Sequence, residues 1–282
     1  MSTRSALMDP AIKNALKAIV EALRQAMPDP ASLPDYGFDP SFLERTSPAL
    51  EFLWSRYFRV RLRGLENIPA TGAALLVANH SGGLPYDGAM LIHACHSLHP
   101  AHRPLRPLVA TFAVRSQWMR PVVTRIGGVR ASMRNALDLC QRGHLVGLFP
   151  EGLRGAGKPY RERYRLTKFG RGGFVRLART ANVPIIPVAI VGAEETNPVV
   201  AKVTQLARVF GLPYIPITPT FPLLGPLGLL PVPAKWSIQI GEAISPMSQP
   251  DRDILEVAEQ VRSVVDRMIA DLLLERRSIF FG

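Results

Sequence analysis

His80 and Asp87 are the first residues in this chain whose types and spacing suit proton transfer, with Gly82, Gly83 and Pro85 between them. An imidazole titrates near neutral pH, and a carboxylate folded back onto it orients the ring and stabilises its charged form. The glycine pair supplies the backbone freedom that the fold-back requires. The bland alternative is a surface loop that carries both side chains without using them. A second cluster, Pro150-Glu151-Gly152-Leu153-Arg154, sets a carboxylate and a guanidinium around another glycine.

The flanking patterns say what positions these groups. Ala73 to Ala78 is a short apolar run that stops at Asn79, as a buried strand entering a loop would. Leu145 to Phe149 is a second such run and breaks into the Glu151 cluster. Asp87 directly precedes Gly88 and an apolar segment, the context of a helix start, where a carboxylate is readily fixed.

Together these stretches resemble the glycerophospholipid acyltransferase family, whose members acylate glycerol-phosphate and lysophospholipids. Asn79, His80 and Asp87 match the first family motif, and Phe149, Pro150, Glu151, Gly152 and Arg154 match the third. The second matches Arg125-Ile126-Gly127-Gly128-Val129-Arg130, and the fourth Val183-Pro184-Ile185-Ile186-Pro187-Val188. Two departures stand out. Six residues separate His80 from Asp87 where the family has four, and Leu153 replaces the usual hydroxyl residue.

Strands alternating with helices give an α/β fold with a central sheet flanked by helices, plus an N-terminal helical extension, and the resemblance implies that the sheet is mixed, seven-stranded and in a two-layer domain. It also implies acyl transfer from acyl-CoA or an acyl carrier protein to a hydroxyl of a lipid such as lysophosphatidate, with no further cofactor. His80 is then the general base and Asp87 its orienting carboxylate. Ser81 is not required, because the implied mechanism has no acyl-enzyme. Backbone N–H groups near Gly152 are candidates for holding the oxyanion. Arg130 and Arg154 are assigned to the acceptor phosphate, since guanidinium forks hold phosphate oxygens in pairs. Glu151 either anchors those arginines or meets the acceptor, beside Gly152. Lys158, Lys168, Arg161 and Arg163 are candidates for the phosphates of the donor.

Lys and Arg outnumber Asp and Glu by 34 to 22 in the 282 residues, a formal charge of +12 that favours anionic partners. Between Gly88 and Leu137 seven arginines face no acid, and from Glu151 to Arg179 nine basic residues face two. A solvated basic face and a site for phosphorylated substrates both fit that distribution. Nucleic acid ranks below an anionic membrane surface as a partner, because no nucleic-acid recognition module is present. Cys95 and Cys140 read as core thiols of a reducing compartment. No apolar leader opens the chain, and no apolar run approaches the length of a membrane span. The expectation is a peripheral or monotopic protein on the cytoplasmic face of a membrane. A lipid-binding protein that keeps the fold without turnover is the competing class, favoured by the long His80–Asp87 spacing.

Along the chain, Asp9-Pro10 starts a helix with Ile12, Leu16, Ile19, Val20, Leu23 and Met27 on one stripe. Pro28 to Pro40 is a connector, and residues 47–60 form a helix that runs into the first strand. The organisation is thus a 1–56 helical extension and a 57–282 catalytic domain. His93, His96, His99 and His102 read as helix-face and loop residues, not metal ligands. The glycines of Lys168-Phe169-Gly170-Arg171-Gly172-Gly173 either admit a phosphate or permit a tight turn. Phe210 to Pro233 holds seven prolines and no charge, which excludes a regular helix or central strand. Core packing, a wall of the acyl pocket and a lipid-facing loop all fit it. Residues 251–274 form a C-terminal amphipathic helix.

Overall fold

The alternation of apolar runs with amphipathic stretches resolves, in a computed structural model, into strands and helices that alternate through the chain. The structure describes residues 33–81, 84–117, 119–205, 207, 211–248 and 251–281. The expected helix over Ile12–Met27 and the Gly82-Gly83 turn lie outside these. The strands are β1 (Arg61–Arg63), β2 (Ala74–Ala78), β3 (Leu105–Val109), β4 (Val129–Arg130) and β5 (Leu145–Leu148). They continue with β6 (Ile185–Val191), β7 (Ala201–Val203), β8 (Ile215–Ile217) and β9 (Ser237–Ile240). The helices are α1 (Pro40–Glu51), α2 (Tyr86–His93), α3 (Thr111–Arg115), α4 (Arg120–Arg125) and α5 (Met133–Gln141). Next come α6 (Leu153–Ala156), α7 (Gly173–Ala181), α8 (Ala193–Thr196) and α9 (Ile254–Glu275).

Seven strands form one sheet in the order β1-β9-β6-β2-β5-β3-β4, and β7 pairs with β8 apart from it. Within the seven-stranded sheet only the β6–β9 pairing is antiparallel, so β9 and β1 run against the other five and the sheet is mixed. The central strand β2 is buried along its whole length. Its side chains alternate between faces. Leu75 and Val77 meet α5, α7 and α9 on one face, and Ala74, Leu76 and Ala78 meet α1, α2, Phe58 and Trp236 on the other. The expected mixed sheet flanked by helices is present, but both faces are covered. The layers therefore number three, helix–sheet–helix, rather than two.

Some boundaries move for identifiable reasons. The helix expected from Ser47 starts at Pro40, where the Asp39 carboxylate accepts the Phe42 N–H at 3.0 Å and Pro48 falls inside the helix. A serine before a proline imitates a helix start, and here the true cap lies eight residues earlier. Gly172 opens α7 at φ +70°, and a Cβ there would lie 2.4 Å from Ile254 Cγ2. That glycine serves close packing of α7 on α9, not phosphate approach. Five of the seven parallel or antiparallel neighbours end their strands on one edge of the sheet, the edge that carries His80.

Candidate active site

Asn79 ends β2 by standing in for backbone. Its Nδ2 donates to the Ile190 carbonyl at 2.9 Å, and its Oδ1 accepts the Ile190 N–H at 2.7 Å. The pairing with β6 is thereby continued by a side chain, and the next residue is free to leave the sheet. That residue is His80. Its Nδ1 lies 2.6 Å from Asp87 Oδ2, despite the six intervening residues. Asp87 is fully buried in the first turn of α2, and its other bonds come from the Ser81 N–H at 2.9 Å and the Gly88 N–H at 2.7 Å. The imidazole packs against Phe149 with centroids 4.7 Å apart and keeps 18% of its side-chain surface exposed. Nε2 has no hydrogen-bond partner among the described residues, so an incoming hydroxyl has a nitrogen to meet.

Burial disfavours the charged ring, but the Asp87 carboxylate at 2.6 Å, aided by Glu151, overcomes it and raises the His80 pKa above 6.5. With Nδ1 bonded to a carboxylate, the neutral ring holds its proton there and leaves the Nε2 lone pair free to accept one. Ser81 Oγ is buried and has no hydrogen-bond partner among the described residues.

Glu151 sits beneath this pair rather than in the open site. Its buried carboxylate accepts the His80 backbone N–H at 3.1 Å and, on the other oxygen, the Thr167 N–H and hydroxyl at 2.8 and 3.0 Å. Lys158 Nζ lies 3.4 Å from the same carboxylate and 3.1 Å from Glu194, and donates to the Arg165 carbonyl at 2.9 Å. Glu194 also accepts the Tyr164 N–H at 2.8 Å, and its burial raises its pKa in spite of Lys158. Lys158 is thus a buried counter-ion of two carboxylates and is not placed to meet donor phosphates. Lys168 is exposed. Neither the Lys158 nor the Glu194 role was legible from the local sequence, although two acids immediately after the buried β6 and Gly192 were a signal of buried partners.

The motif arginines are spread across the sheet edge. Arg154 is exposed in α6, directly after β5, the neighbour of β2. Arg130 is exposed at the end of β4, three strands from β2, or about 14 Å across the sheet. Glu151 pairs with neither. Gly152 has φ +56° and ψ −144°, a conformation open to glycine, and its own N–H is taken by the Phe149 carbonyl at 2.9 Å. Among the other arginines, Arg106 is buried against Asp35 at 2.7 Å and Arg125 pairs with Asp39 at 2.8 Å, so part of the apparent basic face is structural. His93 meets Glu51 at 2.9 Å, His99 meets the Ile68 carbonyl at 3.0 Å, and His102 meets the His96 carbonyl at 3.0 Å.

A family model described as Acyltransferase matches residues 59–191, which contain all four motifs. Uncharacterized proteins of Mycobacterium tuberculosis and Mycobacterium bovis are 44% identical over 272 residues, covering 94% of this chain and 76% of theirs. A Bos taurus protein named DGAT1/2-independent enzyme synthesizing storage lipids is 28% identical over 136 residues, 48% of this chain and 39% of that one. The crystal structure of PlsC from Thermotoga maritima, a 1-acyl-sn-glycerophosphate acyltransferase, superposes with a TM-score of 0.55 at 20% identity, covering 94% of this chain and 90% of that one.

Proposed function

The chain belongs to the glycerophospholipid acyltransferase family, and from that premise we propose that it moves a fatty acyl group from an acyl thioester to a hydroxyl of a glycerolipid precursor such as lysophosphatidate. The observation that carries this reading is the 2.6 Å His80–Asp87 pair with Nε2 left open. The acceptor hydroxyl gives its proton to Nε2 while its oxygen attacks the thioester carbonyl. Asp87 remains ionised and stabilises the imidazolium. Collapse of the tetrahedral intermediate breaks the carbon–sulfur bond, and the imidazolium proton passes to the departing thiolate. Glu151 holds the His80 backbone, and so positions the base without touching substrate. Arg154, one strand from His80, is the better placed of the two arginines for an acceptor phosphate.

The test is turnover of acyl-CoA with lysophosphatidate by His80→Ala. A loss of at least about 10²-fold is expected for a positioned base, and a wild-type rate would overturn the assignment. The reading of a lipid-binding protein without turnover rested on the long spacing, and the observed His80–Asp87 contact removes that ground.

Peripheral attachment to a membrane is part of the same proposal. Leu223, Leu224, Leu227 and Leu230 are 85%, 59%, 69% and 61% exposed in the charge-free segment. Tyr57 Oη donates to the Pro231 carbonyl at 2.7 Å, which brings exposed Phe52 alongside, and Arg59 joins the Pro233 carbonyl to Phe280. Leucines and aromatics rimmed by arginine suit a lipid interface. No described helix is long and apolar enough to cross a membrane.

A further inference from the structure

A second basic site lies apart from His80. Arg161, Arg163, Arg165, Arg276 and Arg277, with Glu195 as the one carboxylate, line a cavity of about 480 Å³ between the 161–165 segment and the end of α9. Arg276 is built into its wall: the side chain is 7% exposed, pairs with Glu195, and donates to the Lys235 and Ile279 carbonyls at 2.8 and 2.9 Å. Its Nε is buried with no hydrogen-bond partner among the described residues. Arg163 lies over the Tyr160 ring at 4.5 Å and 4.0 Å from the already shared Glu195. Arg165 and Arg277 meet no carboxylate among the described residues. Arg161 also meets Glu162 at 3.6 Å, so two acids answer five guanidiniums, and the excess attracts a ligand carrying several negative charges.

We infer that this cavity holds the phosphates of a nucleotide-bearing acyl thioester of the coenzyme A type. The choice of ligand rests on the acyl-transfer reading above; the anion chemistry does not. A phosphomonoester together with a diphosphate carries roughly four negative charges, a polyanion suited to a cavity in which arginine outnumbers acid. The cavity is also joined to the base. Tyr164 lines it, and Tyr164 Oη accepts from the Gly192 N–H at 3.0 Å and from Arg276 at 3.2 Å. The Tyr164 N–H is bonded to Glu194, Glu194 to Lys158, and Lys158 pairs with the Glu151 that holds His80.

The test uses the full chain with the exposed, carboxylate-free pair replaced, Arg165→Ala with Arg277→Ala, and titrates coenzyme A calorimetrically. The expected result is at least about a tenfold weaker Kd, and a matching rise in KM for acyl-CoA with the acceptor KM unmoved. Coenzyme A lacking its 3′-phosphate should bind wild-type protein more weakly and be less sensitive to the double replacement. Unchanged affinity for coenzyme A overturns the inference, as does lost binding to phosphatidylglycerol vesicles with coenzyme A affinity intact, which would make the cavity a lipid-headgroup site. His80→Ala protein should bind coenzyme A normally, so failure of the proposed catalysis and failure of this site are told apart.

Discussion

Lys158→Met removes one buried cation from between two buried carboxylates and nearly preserves side-chain length. Lys158, Glu151 and Glu194 have side-chain exposures of 4%, 0% and 5%, so water cannot replace the ammonium cheaply. Deleting one partner of a buried ion pair costs about 3–5 kcal/mol, because the other charge is left without compensation. Against a total stability of about 5–15 kcal/mol that is a large fraction. In urea unfolding, a slope of about 3 kcal/mol per molar puts the midpoint shift at about 1–1.7 M at pH 7. The pH dependence supplies a further check. Burial raises the Glu194 pKa above its ordinary 4.5, with Lys158 as the main influence pulling it back. A carboxyl with a raised folded pKa favours the folded state fully below the unfolded pKa, and that advantage is lost as pH rises through the folded pKa. Without Lys158 the folded pKa rises further. The deficit of the variant relative to wild type should therefore be small below about pH 4.5 and widen as the pH climbs. A deficit under about 1 kcal/mol at pH 7, or one that does not vary with pH, would refute the counter-ion role.

Three further outcomes follow from the geometry. Because Asp87 raises the His80 pKa, kcat/KM should climb with pH through a value above 6.5, and Asp87→Asn should move that limb downward while cutting the rate by about 10²–10⁴-fold; an unmoved limb would dissociate the pair from the proton transfer. Gly155→Ala places a Cβ 2.5 Å from Glu151 Cβ and 3.1 Å from the His80 carbonyl, so thermal melting should show a loss of about 1–3 kcal/mol where helix propensity alone predicts a gain. Replacing Leu223 and Leu227 by serine should sharply reduce flotation with anionic liposomes at low salt without lowering Tm, and unchanged flotation would return the 210–233 segment to a non-membrane role.

What the sequence exposed was decided by how local each signal is. The strand over Ala74–Ala78, its break at Asn79 and the helix start at Asp87 depend on neighbouring residues, and they were readable one after another. Lys158 reads from sequence as a cation for the donor phosphates because the acids that bury it come from positions 151 and 194. Arg106 was counted in a basic face although Asp35, 71 residues earlier, takes it into the interior. Arginine identity suggested phosphate at both Arg130 and Arg154. Only strand order separates them, and no local pattern contains the β5-β3-β4 sequence of neighbours.

The way Asn79 and Asp87 are fastened has a consequence for how such chains diversify. Asn79 is fixed to β6 through both amide atoms, and Asp87 is fixed by the Ser81 and Gly88 N–H groups. Whatever lies between Ser81 and Tyr86 is thus spare length, held at two ends that already define the distance from imidazole to carboxylate. Extending the His-to-Asp loop from five to seven residue steps adds only about 0.3 kcal/mol of closure entropy. A change of loop length at this point therefore leaves the His80–Asp87 distance as the two fastenings set it. Searches that demand a fixed gap between the two residues would pass over such chains, whereas a search on the two fastenings would find them.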